Sequence, residues 1–234
     1  MKTSNIYERI IRKLIENLLT CEIPGKIPLE DLKKRLKIDK EGLINSVNIL
    51  REILKIENEY LIVNATKVDI IEHCLRRGIY LDLERISRYI SWQDFEELIK
   101  RFFREFEYDC IHKIRITVKN RRIEIDLIAY RENVLLLIDC KRYIRSRVRR
   151  EIIEEHVRKV EDIAKNGVKD LLVRLPIGSR YFEFYLYPIV ITVHDIPHDL
   201  VYGVPVVSIY KLRDFLYNFY YNRWSYRYFV VYRF

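Results

Sequence analysis

The sequence predicts an α/β (α+β) protein whose C-terminal part runs α-β-β-β-α-β around a mixed sheet, with a small, mainly helical domain in front. Three observations carry this. Val134–Ile138 is an unbroken run of valine, leucine and isoleucine, short enough for a strand buried on both faces. Ahead of it, Ile114–Val118 and Ile123–Tyr130 alternate apolar with polar residues and are linked by short polar connections of the hairpin kind. On either side, Trp92–Phe106 and Arg150–Lys165 place apolar residues at helical spacing.

Residues 1–80 are expected to form one domain and 81–234 a second. In the first, Ile10, Leu14, Ile15 and Leu18 recur at helical spacing within Ile6–Leu19, and Pro24, Gly25 and Pro28 predict a turn. Leu29–Leu36 is a short second helix, and Asp39 is placed to cap a third running to about Leu54. Glu57, Asn58 and Glu59 then precede the alternating Tyr60–Val63, as in a small β-wing. Three helices followed by a wing resemble a winged helix-turn-helix domain. Lys40–Leu54 then stands in the recognition-helix position and offers Lys40, Asn45, Asn48 and Arg51 to phosphates or base edges. Glu41 and Glu52 dilute the charge of that helix, and protein contact or dimerisation is the other use of such a fold. Thr66–Arg77 and Leu83–Tyr89 read as connecting helices.

Ser91 and Asp94 form a capping box for the helix Trp92–Phe106. One face of it carries Trp92, Phe95, Leu98, Ile99, Phe102, Phe103 and Phe106. At about 100° per residue, Glu96 falls at the edge of this face, while Glu97 points away among Lys100, Arg101 and Arg104. The strand Val134–Ile138 ends in Asp139, Cys140 and Lys141, and alternation sets Asp139 and Lys141 on one side and Cys140 on the other. Hairpin pairing would carry Asp126 alongside Asp139. Two carboxylates about 4 Å apart repel by roughly 4 kcal/mol at an effective dielectric of about 20, and a divalent cation removes that penalty.

Arg150–Lys165 has Ile153, Val157, Val160 and Ala164 inward, with Gly167 as its expected C-cap. His156 lies near the apolar edge and is read as structural, the alternative being that it faces the cleft. Leu171–Leu175 and Tyr181–Val193 are expected strands, the second broken near Pro188. His194, Asp195 and His198 follow in a loop, where a turn at Ile196–Pro197 accounts for them with less assumption than a metal site. Val204–Ile209 is a last strand and Leu212–Phe219 a helix. The tail from Tyr217 interleaves Tyr, Phe, Trp and Arg, a pattern that packs onto its own domain or a second copy more readily than onto bases.

The order of an acid, a hydrophobic strand and acid-x-Lys resembles the PD-(D/E)XK nuclease superfamily. EIDLIAY followed by LLLIDCKRY is similar to Mrr-type restriction endonucleases and archaeal Holliday-junction resolvases, as is the ending YPIVITVHDIPHDL then VPVVSIYKLRDFL. The resemblance implies a restriction-endonuclease-like core and a Mg²⁺- or Mn²⁺-dependent deoxyribonuclease. Asp126, Asp139 and the backbone carbonyl of Cys140 would hold the ion, with Glu96 on the first helix joining through water. Lys141 would orient the attacking water or stabilise the transition state. Several relatives have Glu or Gln where this chain has the shorter Asp139. Directly after such a site, Arg142, Arg145, Arg147, Arg149 and Arg150 read as a clamp on DNA backbone. The alternatives are a catalytically silent DNA-binding regulator and a partner-binding subunit of a repair or restriction assembly.

Composition agrees with a polyanionic partner. The 234 residues carry a net charge of +9, and the larger part of the surplus follows residue 90. Cys21, Cys74, Cys110 and Cys140 have no C-x-x-C spacing, which argues against a zinc site or disulfide framework. No apolar run reaches the roughly 18 residues of a membrane span and no signal-peptide core opens the chain, so the expectation is a cytoplasmic protein. One glutamine, one methionine and abundant Lys, Arg, Glu, Ile and Tyr suit a thermophile, and an archaeal one by the same resemblance. The expected partners are DNA and a second copy of the chain in a homodimer.

Overall fold

The computed structural model describes residues 2–141, 150–177, 180–193 and 200–233. The chain divides into two compact units, Met1–Phe95 and Glu96–Phe234. Among the described residues no helix is long and apolar enough to cross a membrane.

The first unit runs α1 (Lys2–Leu19), β1 (Gly25–Pro28), α2 (Leu29–Leu36), α3 (Lys40–Ile49), β2 (Leu54–Glu57) and β3 (Tyr60–Val63). Leu14, Ile15 and Leu18 of α1 are buried, as are Leu32, Leu43 and Val47 of the next two helices. The segment expected as a simple turn at Pro24–Pro28 is strand β1, which pairs antiparallel with β3 to give the order β1-β3-β2. Proline is accommodated because β1 is an edge strand and Pro28 its final residue. Asp39 caps α3, its Oδ1 accepting from the Gly42 N–H at 2.7 Å. That helix ends at Ile49 and not near Leu54, because Leu54 is already paired with Val63. Asn58 and Glu59 close the hairpin in left-handed conformation, with φ of 46° and 67°. Lys40, Asn48 and Arg51 are exposed, Arg51 just beyond the helix, whereas Asn45 is half-buried. α4 (Lys67–Arg76) starts from a capping box of Thr66 and Asp69, and α5 (Leu83–Ile86) is a single turn, shorter than expected. α6 (Trp92–Glu105) opens on the expected box: the Ser91 N–H donates to Asp94 Oδ2 at 2.8 Å and the Asp94 N–H to Ser91 Oγ at 3.0 Å.

The second unit continues with β4 (Asp109–Val118), β5 (Arg121–Arg131), β6 (Val134–Lys141), α7 (Arg150–Asn166), α8 (Val168–Arg174) and β7 (Glu183–Thr192). It closes with β8 (Leu200–Val201), β9 (Val204–Ser208), α9 (Leu212–Asn222), a 3-10 turn at Arg223–Ser225 and β10 (Phe229–Tyr232). The sheet order is β4-β5-β6-β7-β9-β8, with β10 also paired to β7. β6 is antiparallel to β5 and parallel to β7, so the sheet is mixed and β6 lies inside it. That position explains its solid apolar run, from Val134 to Ile138 fully buried. Val160 and Ile163 of α7 and Val168 and Leu171 of α8 cover one sheet face, against Ile114, Ile116, Ile125, Ile128, Leu135 and Leu137.

Two local expectations are corrected. Leu171–Leu175 is not a strand: Leu171 lies in α8 with Val168, and buried Val168, Leu171 and Leu175 recur at helical spacing that the five-residue window conceals. Strand β7 passes through Pro188 unbroken. Tyr185 and Val193 donate to β6 at Asn133 and Lys141, so alternation turns residue 188 to the opposite edge. On that edge the pairing with β10 stops at Leu186 and the pairing with β9 starts at Val190, and no donor is needed between them. Gly167 directly follows α7, in the expected C-cap position, and with φ −121° it leads straight into α8. A Cβ there would stand 2.9 Å from Val118 Cγ2 and 3.0 Å from Ile116 Cγ2, so close packing on β4 requires glycine.

The aromatic tail packs on its own domain. β10 pairs with β7, and Tyr185, Trp224 and Tyr228 meet edge to face, with Tyr187 against Phe219. Arg142, Arg145, Arg147 and Arg149, together with His194, Asp195 and His198, lie outside the described residues.

Candidate active site

Strand β5 is the middle member of the β4-β5-β6 antiparallel group, and both of its ladders fail at one residue. Its pairing with β6 runs from Arg131–Val134 to Leu127–Ile138 and stops at Asp126. Its pairing with β4 keeps one register from Asp109–Tyr130 to Val118–Arg121, and among the described residues Lys113 opposite Asp126 is the position left out of it. The inward series slip at the same point: Ile111 is followed by Ile114 and Ile125 by Ile128, three apart where a regular strand steps by two. Lys113 adopts φ +48°, a left-handed conformation that costs a lysine about 1 kcal/mol or more.

This double irregularity positions the acid. Asp126 Oδ2 accepts the backbone N–H of Cys140 at 2.8 Å, so the side chain fills the place a strand partner would take. Lys141 has an ion pair with Asp139, its Nζ 2.8 Å from both Oδ1 and Oδ2. The expected alternation holds: Asp139 and Lys141 are partly exposed and Cys140 is buried. Because the Lys141 carbonyl accepts from Val193 on the β7 side, alternation turns the Cys140 N–H and carbonyl to the β5 side, toward Asp126.

Glu96 is more deeply placed than an edge position suggests, at 3% exposure. Its Oε2 lies 3.8 Å from His112 Nδ1 and 3.8 Å from Lys113 Nζ. Glu97 faces away and binds Lys100 and Arg101, as expected. The carboxylates of Asp126, Asp139 and Glu96 all act on the Cys140 thiol, which burial first and then their charge push well up. Glu96, Asp126 and Asp139 thus all lie within electrostatic reach of the Cys140 thiol. Burial raises the Asp126 carboxyl above the usual range, and neighbouring Asp139 adds to the effect while the Cys140 N–H opposes it. Burial holds the His156 imidazole down at about 4. Its Nε2 lies 2.9 Å from the Leu137 carbonyl, so it is a neutral strut between α7 and β6, in line with the structural role expected of it.

Among the described residues, no three His, Cys, Asp or Glu side chains stand ready as a metal cluster. The donors nevertheless fit a hard divalent cation. Two adjoining carboxylates, one of them desolvated and raised, share a single ammonium and leave an excess of negative charge beside a backbone carbonyl. Mg²⁺ is commonly held by one or two carboxylates, with water and substrate phosphate completing its shell. Arg150 starts α7 with its guanidinium 5.8 Å from the Tyr202 ring centroid. His112 and Lys113, which the sequence reading passed over, belong to the surroundings of Glu96. The available signal was the three-residue step from Ile111 to Ile114.

Residues 87–173 match the restriction endonuclease family, in its Mrr catalytic form. Among solved structures, the chain is similar to a protein of unknown function, AF1548, at 12% identity and TM-score 0.35 over 49% of this chain and 56% of that one. It is also similar to protein VC1899 from Vibrio cholerae, at 14% identity and TM-score 0.37 over 94% of this chain and 56% of that one. A third similarity is to the restriction endonuclease PspGI in complex with substrate DNA, at 11% identity and TM-score 0.32 over 93% and 92%. The chain spans little more than half the length of the first two. No curated protein matches the sequence.

Proposed function

We propose that the chain, whose residues 87–173 match the restriction endonuclease family, is a divalent-cation-dependent DNA endonuclease of the PD-(D/E)XK type. The observation that most supports this reading is the failure of both β5 ladders at Asp126. It leaves two carboxylates, a backbone carbonyl and an ammonium together at the end of a buried strand.

Asp126, Asp139 and the Cys140 carbonyl are the groups to hold Mg²⁺ or Mn²⁺, which would supply charge neutralisation at the phosphate and lower the pKa of the attacking water. Asp126 is aimed by its bond to the Cys140 N–H, which costs no reorganisation when substrate binds. Lys141 moves its ammonium from Asp139 to the attacking water or a non-bridging phosphate oxygen, where negative charge grows. Glu96 orients water from the α6 side. Arg150, with Arg142, Arg145, Arg147 and Arg149, takes phosphates flanking the cut.

The succession α1-β1-α2-α3 followed by the β2-β3 hairpin supports reading the first unit as a winged helix. It would dock DNA through Lys40, Asn45, Asn48 and Arg51, with half-buried Asn45 the weakest of the four. The experiment is a cleavage panel of four-way junction, flap, methylated duplex and unmodified duplex in Mg²⁺ and Mn²⁺ at high temperature. Cutting of at least one substrate supports the endonuclease. Salt-sensitive binding without cutting would make the protein a regulator, and no DNA affinity would make it a subunit of an assembly.

A further inference from the structure

We infer that Lys113 is a further phosphate-binding residue of this site, receiving the DNA backbone on the β4 side; the inference rests on the nuclease reading above. The backbone at Lys113 is in left-handed conformation, which glycine or asparagine adopts more readily than lysine. The kink it makes lies across from Asp126, in the one register position that β4 and β5 leave unpaired among the described residues. A local break in the ladder alone accounts for the kink, since such irregularities, like bulges, re-aim side chains beside active sites. It does not account for a lysine there, and three further features do.

The Lys113 ammonium is 3.8 Å from Glu96 Oε2, a long contact for an ion pair, and its side chain is 48% exposed. Little has to be given up for it to turn to a phosphate. Beside it opens a groove of about 540 Å³, lined by Ile111, His112, Lys113, Ile114, Arg115 and Arg174. Arg115 and Arg174 sit close on acids of their own, Glu124 at 2.7 Å and Asp170 at 3.0 Å, so Lys113 is the lining cation with the loosest hold. The groove therefore offers one loosely held ammonium, on the residue that stands across the ladder from Asp126. A phosphodiester is the anion that matches a single point donor of this kind.

The test uses Lys113→Gly, which keeps the kink and removes the ammonium, Lys113→Asn as a second residue suited to it, and Lys113→Arg as the charge-retaining control. Binding of a fluorescent duplex is measured in EDTA on the Asp139→Ala chain across a range of KCl. Lys113→Gly and Lys113→Asn should each bind about 5- to 10-fold more weakly, with the slope of log affinity against log salt shallower by about 0.9, while Lys113→Arg stays within about 2-fold. Unchanged affinity and slope in both neutral variants would overturn the inference. If Asp139→Ala itself cuts plasmid like the wild type, the nuclease reading has failed. If Asp139→Ala is silent but Lys113→Gly binds and, with Asp139 intact, cuts normally, this inference alone falls.

Discussion

Asp126 accepts the Cys140 N–H at 2.8 Å, so a carboxylate stands where the ladder between two strands would otherwise continue. The bond ties an acid on β5 to the residue between Asp139 and Lys141 on β6. Residues distant in sequence are thereby tied together by a backbone hydrogen bond.

That arrangement has a cost in the absence of a cation. A carboxyl whose folded pKa is raised adds stability below the ordinary aspartate value and loses it as pH rises through the raised value. Asp126→Asn keeps an acceptor for Cys140 and removes the charge. It should raise the melting temperature in EDTA near pH 8 by about 3 °C, or about 1 kcal/mol, while abolishing cleavage. Melting scans of the two chains decide this; a lower melting point for Asp126→Asn would mean that its charge is already compensated.

Lys141 neutralises Asp139 from 2.8 Å. Lys141→Ala should reduce cleavage at least about 100-fold, as loss of a group that meets developing charge generally does. Duplex affinity in EDTA should change far less. Rates and affinities measured side by side separate loss of chemistry from loss of binding, and a fall confined to affinity would remove Lys141 from the catalytic step.

His156 predicts an acid limb in stability. Its pKa falls from 6.5 to about 4 on burial, so the unfolded chain takes up the proton first. The stabilisation is complete above about pH 6.5 and is lost as pH falls toward 4, amounting to about 3 kcal/mol. Denaturant titrations of wild type and His156→Leu over this range should show a shallower acid slope in the variant. Parallel slopes would assign the acid limb to other groups.

Gly167 has no room for a methyl group against Val118 and Ile116. Gly167→Ala should cost about 1–3 kcal/mol, the usual range for overpacking. Urea midpoints give the number directly, and an unchanged midpoint would show that β4 yields at that point.

Much of the fold was legible because its signals are local and strong. The buried run of β6, the two hairpins and the amphipathic faces of α6 and α7 each follow from a period within one segment. The errors fall where a neighbour decides: β1 exists because β3 offers an edge, β7 tolerates Pro188 because its outer partner changes there, and α8 was hidden in a window shorter than two turns. The site was half legible. Asp126, Asp139 and Lys141 could be brought together by assuming a regular hairpin, yet the carboxylate is positioned by a departure from regularity. Lys113 and His112 enter only through that departure, and an alternating strand of Lys, Ile and Arg gives no chemical hint of it.

Supercoiled plasmid reports whether Asp126, Asp139 and Lys141 form a cation-dependent phosphodiester-cleaving centre. Wild-type protein should convert it to nicked or linear DNA in Mg²⁺ or Mn²⁺ and stop in EDTA, and Asp139→Ala should leave it supercoiled under every condition. Nicking by Asp139→Ala at the wild-type rate would mean that this carboxylate takes no part in cleavage.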